Sequence, residues 1–200
     1  MSVAERMLDH TMVYRLWQAP FAEQKFAPIL AHNDLRRVRR VLDVGCGPGT
    51  NVRHFAGADY LGIDFNERYI DSARRRHHRN FLVADVRNHR FATGERFDFI
   101  LANSFLHHLN TEDVFGILSD LRPLLAKDGH LHSMELVMPE NRSIARQLAL
   151  WDRGDFARPA EEWRTIFSKI FEPVVLEFYP LTLMGTTLWN MVYFKGRARI

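Results

Sequence analysis

Cysteine is all but missing from this chain: among 200 residues, Cys46 is the single one. An internal disulfide framework and any cysteine-rich zinc site are therefore excluded. Long hydrophobic runs are missing as well, and none approaches the ~20 residues needed to span a bilayer as a helix. The first turns carry Glu5 and Asp9 in place of the basic-then-apolar order of a secretion signal. A soluble, cytoplasmic protein with no membrane partner is the expectation. His10, His107, His108, His130 and His132 lack the paired helical spacing and nearby carboxylates of a metal site, so no metal is expected.

A strong excess of either charge is also lacking, since 27 Lys and Arg face 24 Asp and Glu for a net charge of +3. The cations do cluster, at Arg36-Arg37-x-Arg39-Arg40, at Arg74 to Arg79 and from Lys195 to Arg199. Clustered cations raise the question of nucleic acid. The middle cluster, however, falls where a helix beginning near Asn66 should end, and cations there complement the helix dipole. No aromatic residues interleave with the arginines as a base-stacking platform requires, so no specific nucleic-acid partner is expected.

What the chain does have is Val41-Leu42-Asp43-Val44-Gly45-Cys46-Gly47-Pro48-Gly49-Thr50, an apolar strand running into a glycine-rich turn. Glycines at alternate positions remove Cβ atoms where backbone turns sharply and approaches a ligand, with N–H groups pointing outward at the start of a helix expected from about Thr50 to Phe55. A dinucleotide fingerprint would need its third glycine where Thr50 stands, and a P-loop would need a Lys-Ser/Thr pair. Three further strands end in polar groups: Tyr60 to Asp64, Phe81 to Asp85, and Phe97 to Asn103 followed by Ser104. Open α/β sheets bind ligands at that edge.

The 46% hydrophobic content supports one domain over residues 1–200. Residues 1–40 read as helical, with an apolar stripe through Val13, Leu16, Trp17, Phe21, Phe26, Ile29 and Leu30 broken at Pro20 and Pro28. Beyond Val41, strands alternate with helices at about Asn66 to Arg76 and Thr111 to Leu125, the latter released at Gly129 into a fifth strand from His130 to Met138. Helical pattern resumes from Ser143 to Trp151 and from Pro159 to Phe171. Strands from Val174 to Tyr179 and Thr186 to Phe194 close a doubly wound α/β chain.

The spacing Asp43-x-Gly45-x-Gly47-x-Gly49, with Asp64 about twenty residues on, resembles the first motif of the class I S-adenosylmethionine-dependent methyltransferases. The resemblance covers most of Val41 to Phe194. It implies a seven-stranded sheet in the order 3-2-1-4-5-7-6 with the last strand antiparallel, an N-terminal helical lid over residues 1–40, and a substrate-covering insertion at about 139–171. It also implies S-adenosyl-L-methionine as cofactor and S-adenosyl-L-homocysteine as product. Gly45, Cys46, Gly47 and Gly49 would then admit the methionyl part, with Asp43 meeting its ammonium directly or through water. Asp64 would hold the ribose hydroxyls, its alternative being a helix cap, a job Asn66 can also do. Asp85 and the N–H of Val86 would meet adenine, with Phe65 on its face, or else form a plain surface turn. Asn103 and Ser104 would contact the methionyl part through backbone.

Asn103 does not open an Asn-Pro-Pro-Tyr motif, which disfavours methylation of exocyclic amines of DNA and RNA. His107 and Glu135 are the candidate general bases, each with a structural alternative: a hydrogen-bonded histidine, and an ion pair with an arginine such as Arg142. His108 reads as a packing residue. Tyr14 and Trp17, one turn apart, are candidates for the lid, with Tyr14 toward the cofactor and Trp17 toward the acceptor; Trp151, Trp163 and Trp189 would line the acceptor site. The reading is methyl transfer to a small-molecule acceptor at oxygen or nitrogen, by a monomer or homodimer. Its rivals are an RNA methyltransferase using the basic clusters and a non-catalytic S-adenosylmethionine-binding protein.

Overall fold

Val41, Leu42, Asp43 and Val44 are all buried, the signature of a central strand covered on both faces. In the structure, a computed structural model that describes residues 21–151 and 156–199, they form β1 (Arg40–Val44). Around it stand β2 (Asp59–Asp64), β3 (Asn80–Val83), β4 (Phe97–Asn103), β5 (Leu125–Leu136), β6 (Phe171–Leu183) and β7 (Thr186–Ala198). The seven strands lie in the order β3-β2-β1-β4-β5-β7-β6, the order the family resemblance implies, and β7 runs antiparallel to both neighbours.

The helices are α1 (Ala22–His32), α2 (Glu67–Arg76), α3 (Thr111–Leu121), α4 (Ile144–Trp151) and α5 (Ala160–Ile170). Strand alternation sends Leu42, Val44, Ile100 and Ala102 to one face, against Val114, Ile117 and Leu118 of α3 and Trp163 and Phe167 of α5. Val41, Tyr60, Phe99 and Leu101 face the other way, against Phe26 and Ile29 of α1 and Ile70 and Ala73 of α2. Among the described residues, no helix is long and apolar enough to cross a membrane.

Four local expectations need correction. No α-helix follows the glycine loop; a single 3-10 turn, Val52–His54, stands there. Gly45, Gly47 and Gly49 all hold positive φ, so the loop turns tightly up to residue 49, and the chain then makes only this one turn before Asp59 opens β2. Helix α3 ends at Leu121 because Pro123 sits in the next turn, so Gly129 caps nothing. Gly129 instead lies within β5, where a Cβ would come 2.6 Å from the Phe97 carbonyl oxygen beside the register shift between Phe97 and Phe99. Pro28 does not break α1 but is buried inside it. Finally, the last two strands are longer than expected, each 13 residues.

Part of the expected lid is structural. Phe21 is buried beside Leu136 and Trp189, the Tyr179 hydroxyl donates to the Lys25 carbonyl at 2.8 Å, and the Gln24 amide exchanges two hydrogen bonds with Thr182. Helix α1 is thus stitched to β6. Tyr14 and Trp17 lie outside the described residues.

Candidate active site

Strand order reverses between β1 and β4, and the carboxyl ends of β1, β2, β4 and β5 bring the glycine loop, Asp64, Asn103 and Glu135 to one edge. Gly45 turns under the ring of Phe105, where a Cβ would lie 2.8 Å from Cγ. Gly47, with φ of 54°, has nothing within 4 Å of where its Cβ would be, so this backbone borders open space. Asp64 receives the Gly47 N–H at 2.9 Å on one oxygen and the Asn66 N–H at 2.8 Å on the other. Burial raises its pKa against the pull of those two N–H groups. The cap of α2 is Asn66, whose side chain accepts from Arg68 and Tyr69, so Asp64 is not consumed as a cap.

Asp43 is fully buried and built into a chain of side chains. The Tyr60 hydroxyl donates to Oδ2 at 2.5 Å and Asn51 Nδ2 donates to the same oxygen at 3.0 Å; Asn103 Nδ2 donates in turn to Asn51 Oδ1 at 3.2 Å. Burial pushes the Asp43 carboxyl up to about 6, only partly offset by the Tyr60 and Asn51 hydrogen bonds. Within this hydrogen-bonded network two oxygens, Asp43 Oδ1 and Asn103 Oδ1, are buried without a hydrogen-bond partner. Buried acceptors without donors are costly, and a pair of them fits a ligand that brings N–H groups, as an ammonium does. Asn51 and Tyr60 escaped sequence reasoning because only the fold sets them around Asp43.

Cys46 is buried in the loop, and burial beside Asp43 and Asp64 keeps its thiol far from ionising. Ser104 holds a positive φ of 55° and donates its N–H to the Met134 carbonyl at 2.8 Å, strain of the kind that gathers at functional edges. Phe65, 77% exposed, stands at the lip. Asp85 lies beyond the end of β3 with its carboxylate gripped by Arg87, Nη2 at 2.6 Å, which holds its pKa low. Val86, the next residue, packs partly buried against the core.

His107 and Glu135 are brought together. His107 Nδ1 and Glu135 Oε2 are 2.7 Å apart, and both side chains are buried. The backbone N–H groups of Leu106 and His107 also donate to Glu135, at 3.2 and 3.3 Å, so this carboxylate is paired here and not with Arg142. His108 is exposed, not packed inside, its ring 4.2 Å from that of His107.

The three tryptophans separate. Trp163 is wholly buried, stacked on Phe167, with its indole N–H donating to the Leu136 carbonyl at 2.9 Å. It is a core residue and presents no surface to an acceptor. Trp151 is 73% exposed, and Trp189 is buried with an indole nitrogen that has no partner. The arginines of α2 crown the opposite, amino-terminal edge, where Asp59, Arg74, His77, His78, Arg79 and Asn80 surround a hollow of about 360 Å³. Among the described residues no cluster of His, Cys, Asp and Glu could hold a metal ion.

Comparison with known proteins agrees with this geometry. Residues 41–129 match the family model described as a methyltransferase domain. The trans-aconitate 2-methyltransferase of Delftia acidovorans is 32% identical over 145 residues, covering 70% of this chain and 52% of that protein. The ubiquinone biosynthesis O-methyltransferase of Actinobacillus pleuropneumoniae is 33% identical over 104 residues, covering 46% and 44%. The chain thus spans about half the length of these curated relatives. The plantazolicin methyltransferase BpumL, solved with SAH, superimposes with a TM-score of 0.73 at 16% identity over 99% of this chain and 92% of its own. Glycine loop, sheet order and relatives together assign the chain to the class I S-adenosylmethionine-dependent methyltransferases.

Proposed function

We propose that this chain transfers a methyl group from S-adenosylmethionine to a small-molecule acceptor at oxygen or nitrogen, with His107 as general base where the acceptor is a hydroxyl. The observation that carries the base assignment is the 2.7 Å contact between His107 Nδ1 and buried Glu135 at the cofactor edge. The two relatives named for trans-aconitate and ubiquinone methylation support a small acceptor.

Bound S-adenosylmethionine supplies an activated methyl on a cationic sulfur. The chain's own task is largely alignment, which can account for most of the rate of an in-line transfer. Gly45, Gly47 and Gly49 admit the methionyl part. Asp43 Oδ1 and Asn103 Oδ1 accept from its ammonium, and the remaining lone pairs of Asp64 take the ribose hydroxyls. Phe65 lies on the adenine face, the Val86 N–H meets a ring nitrogen, and Asp85 reaches the adenine only by sharing its carboxylate with Arg87. Glu135 fixes the imidazole of His107 through Nδ1, which makes Nε2 the atom that takes the acceptor proton. Trp151 and Trp189 remain the aromatic candidates for acceptor contact.

The test is a panel of small carboxylate, phenol and amine acceptors incubated with S-adenosylmethionine, with products read by mass. His107→Gln should lower turnover on a hydroxyl acceptor by roughly 100- to 10,000-fold while cofactor affinity stays within about twofold. Undiminished turnover in that variant removes the base assignment. Methylation of RNA with none of any small acceptor overturns the substrate class.

A further inference from the structure

Arg158 is a charged side chain only 3% exposed, and every N–H of its guanidinium is used. Nε donates to Glu162 Oε1 at 3.1 Å, Nη1 to the carbonyls of Leu106 at 3.3 Å and Phe156 at 3.1 Å, and Nη2 to the Leu109 carbonyl at 2.7 Å and Thr111 Oγ1 at 3.2 Å. The guanidinium also lies 5.0 Å over the Trp163 ring. Five donors meeting five acceptors in a buried site is far more than one helix-capping or surface ion pair needs.

The acceptors belong to particular places. Leu106 and Leu109 bracket the turn that carries His107. That turn is held from the other side by Glu135, which accepts the Leu106 and His107 N–H groups. Leu106 is therefore clamped, its N–H on an anion and its carbonyl on a cation. The backbone of Arg158 makes a second joint: its carbonyl accepts the Met138 N–H at 2.8 Å and it bridges to Val137, while the Phe156 N–H donates to the His107 carbonyl at 3.2 Å. Beyond the end of β5 the chain swings away after Met138 and comes back beside it at Arg158, so one residue closes this excursion and grips the base's turn.

We infer that Arg158 is a positioning residue that locks the turn bearing His107 to the root of the insertion after β5. The inference rests on the reading of His107 as the base. Among the described residues, the charged and titratable groups around His107 are Glu135 from β5, His108 from the same turn, and Arg158 with its partner Glu162 from α5. Removing the Arg158 cation favours the imidazolium; removing the Glu162 anion leaves that cation uncompensated and disfavours it. A side chain that only supports packing would do neither.

The measurement is the ¹⁵N imidazole spectrum of His107 across pH, on uniformly labelled full-length protein, which needs no acceptor. Arg158→Met should raise the His107 titration midpoint by roughly half a pH unit, and Glu162→Gln should lower it by a smaller amount. Arg158→Lys, which keeps the charge but loses the fork, should leave the midpoint nearly in place yet displace the Nδ1 resonance as the turn slackens. If Arg158→Met does not fold, the half-exposed Glu162 still supports the opposite-signed test. His107 resonances superimposable on wild type in folded Arg158→Lys and Glu162→Gln variants overturn the inference. Failure of the base reading is distinguished by full methyl transfer in His107→Gln.

Discussion

The Tyr60 hydroxyl donates to the Asp43 carboxylate at 2.5 Å, from one strand to its parallel neighbour, inside a fully buried setting. With Asn51 on the same oxygen, this leaves the other oxygen buried and without a partner. The free site holds a carboxyl whose pKa stands at about 6.

Cofactor binding should therefore depend on pH. A cationic amino group bound at Asp43 favours the ionised carboxylate, so affinity for S-adenosylhomocysteine should rise as pH climbs from about 5 to about 7, with proton uptake by the buffer, and then level off. Asp43→Asn should flatten that rise. Calorimetry in buffers of different ionisation enthalpy checks it. Equal affinity at both ends of the range in the wild type would detach Asp43 from the ligand. In the free protein the raised value has the opposite effect: the stability Asp43 contributes is full below 3.8 and is lost as pH rises through about 6.

Asp64→Ala should weaken cofactor binding by about ten- to a hundredfold, the loss of roughly 1.5 to 3 kcal/mol in hydrogen bonds to a charged acceptor. The same change frees the Gly47 N–H, so part of the loss will come from the loop. Titration calorimetry of S-adenosylmethionine measures the sum, and unchanged affinity removes Asp64 from the site.

Acid should destabilise the fold through His132. This ring is buried, stacked 3.7 Å from Phe99 and hydrogen-bonded to the Tyr193 hydroxyl at 2.9 Å, and burial lowers its pKa well below 6.5. Its folded pKa is depressed, so the stability it contributes is full above 6.5 and is lost as pH falls toward the folded value. Urea midpoints measured from pH 7 to pH 5 should fall more steeply for wild type than for His132→Phe. Parallel curves would mean that His132 takes up its proton without unfolding.

Trp163→Ala should cost about 3 to 5 kcal/mol of stability through cavity formation. Trp151→Ala should leave unfolding almost unchanged while altering which acceptors are methylated. Chemical denaturation and the acceptor panel separate the two effects, and an unshifted acceptor profile in Trp151→Ala would remove that residue from the acceptor site.

Much of the frame was legible in the chain because each central strand writes its own signal: continuous apolar residues, then a carboxylate or amide at the carboxyl end. Asp43, Asp64 and Asn103 could be ordered along one edge from that alone, and the glycine loop fixed where the edge opens. The short segment from Thr50 to Phe55 looked helical by composition, yet it closes only the 3-10 turn Val52–His54 before the chain enters β2, too short a stretch for α-helix to outcompete it. Gly129 looked like a helix stop, although Pro123 had already ended the helix and the glycine answers a crowding by the Phe97 carbonyl that exists only once β4 and β5 pair. Tyr60, Asn51 and Arg158 carried no local signal, since their roles are set by partners 17, 8 and up to 52 positions away.

Because the chain departs at Met138 and comes back to Arg158 within a single hydrogen bond of 2.8 Å, the excursion between them has fixed roots. The closure cost of such an excursion grows only with the logarithm of its length, by about 0.6 kcal/mol per doubling. Ala145 and Ala149 of α4 are buried and the Phe156 N–H bonds to the His107 carbonyl, so the positions of this excursion that can be exchanged without disturbing the sheet are exposed ones such as Ile144, Leu150 and Trp151. Rewriting those exposed positions while the roots stay fixed is the direct way to ask whether this segment sets acceptor choice.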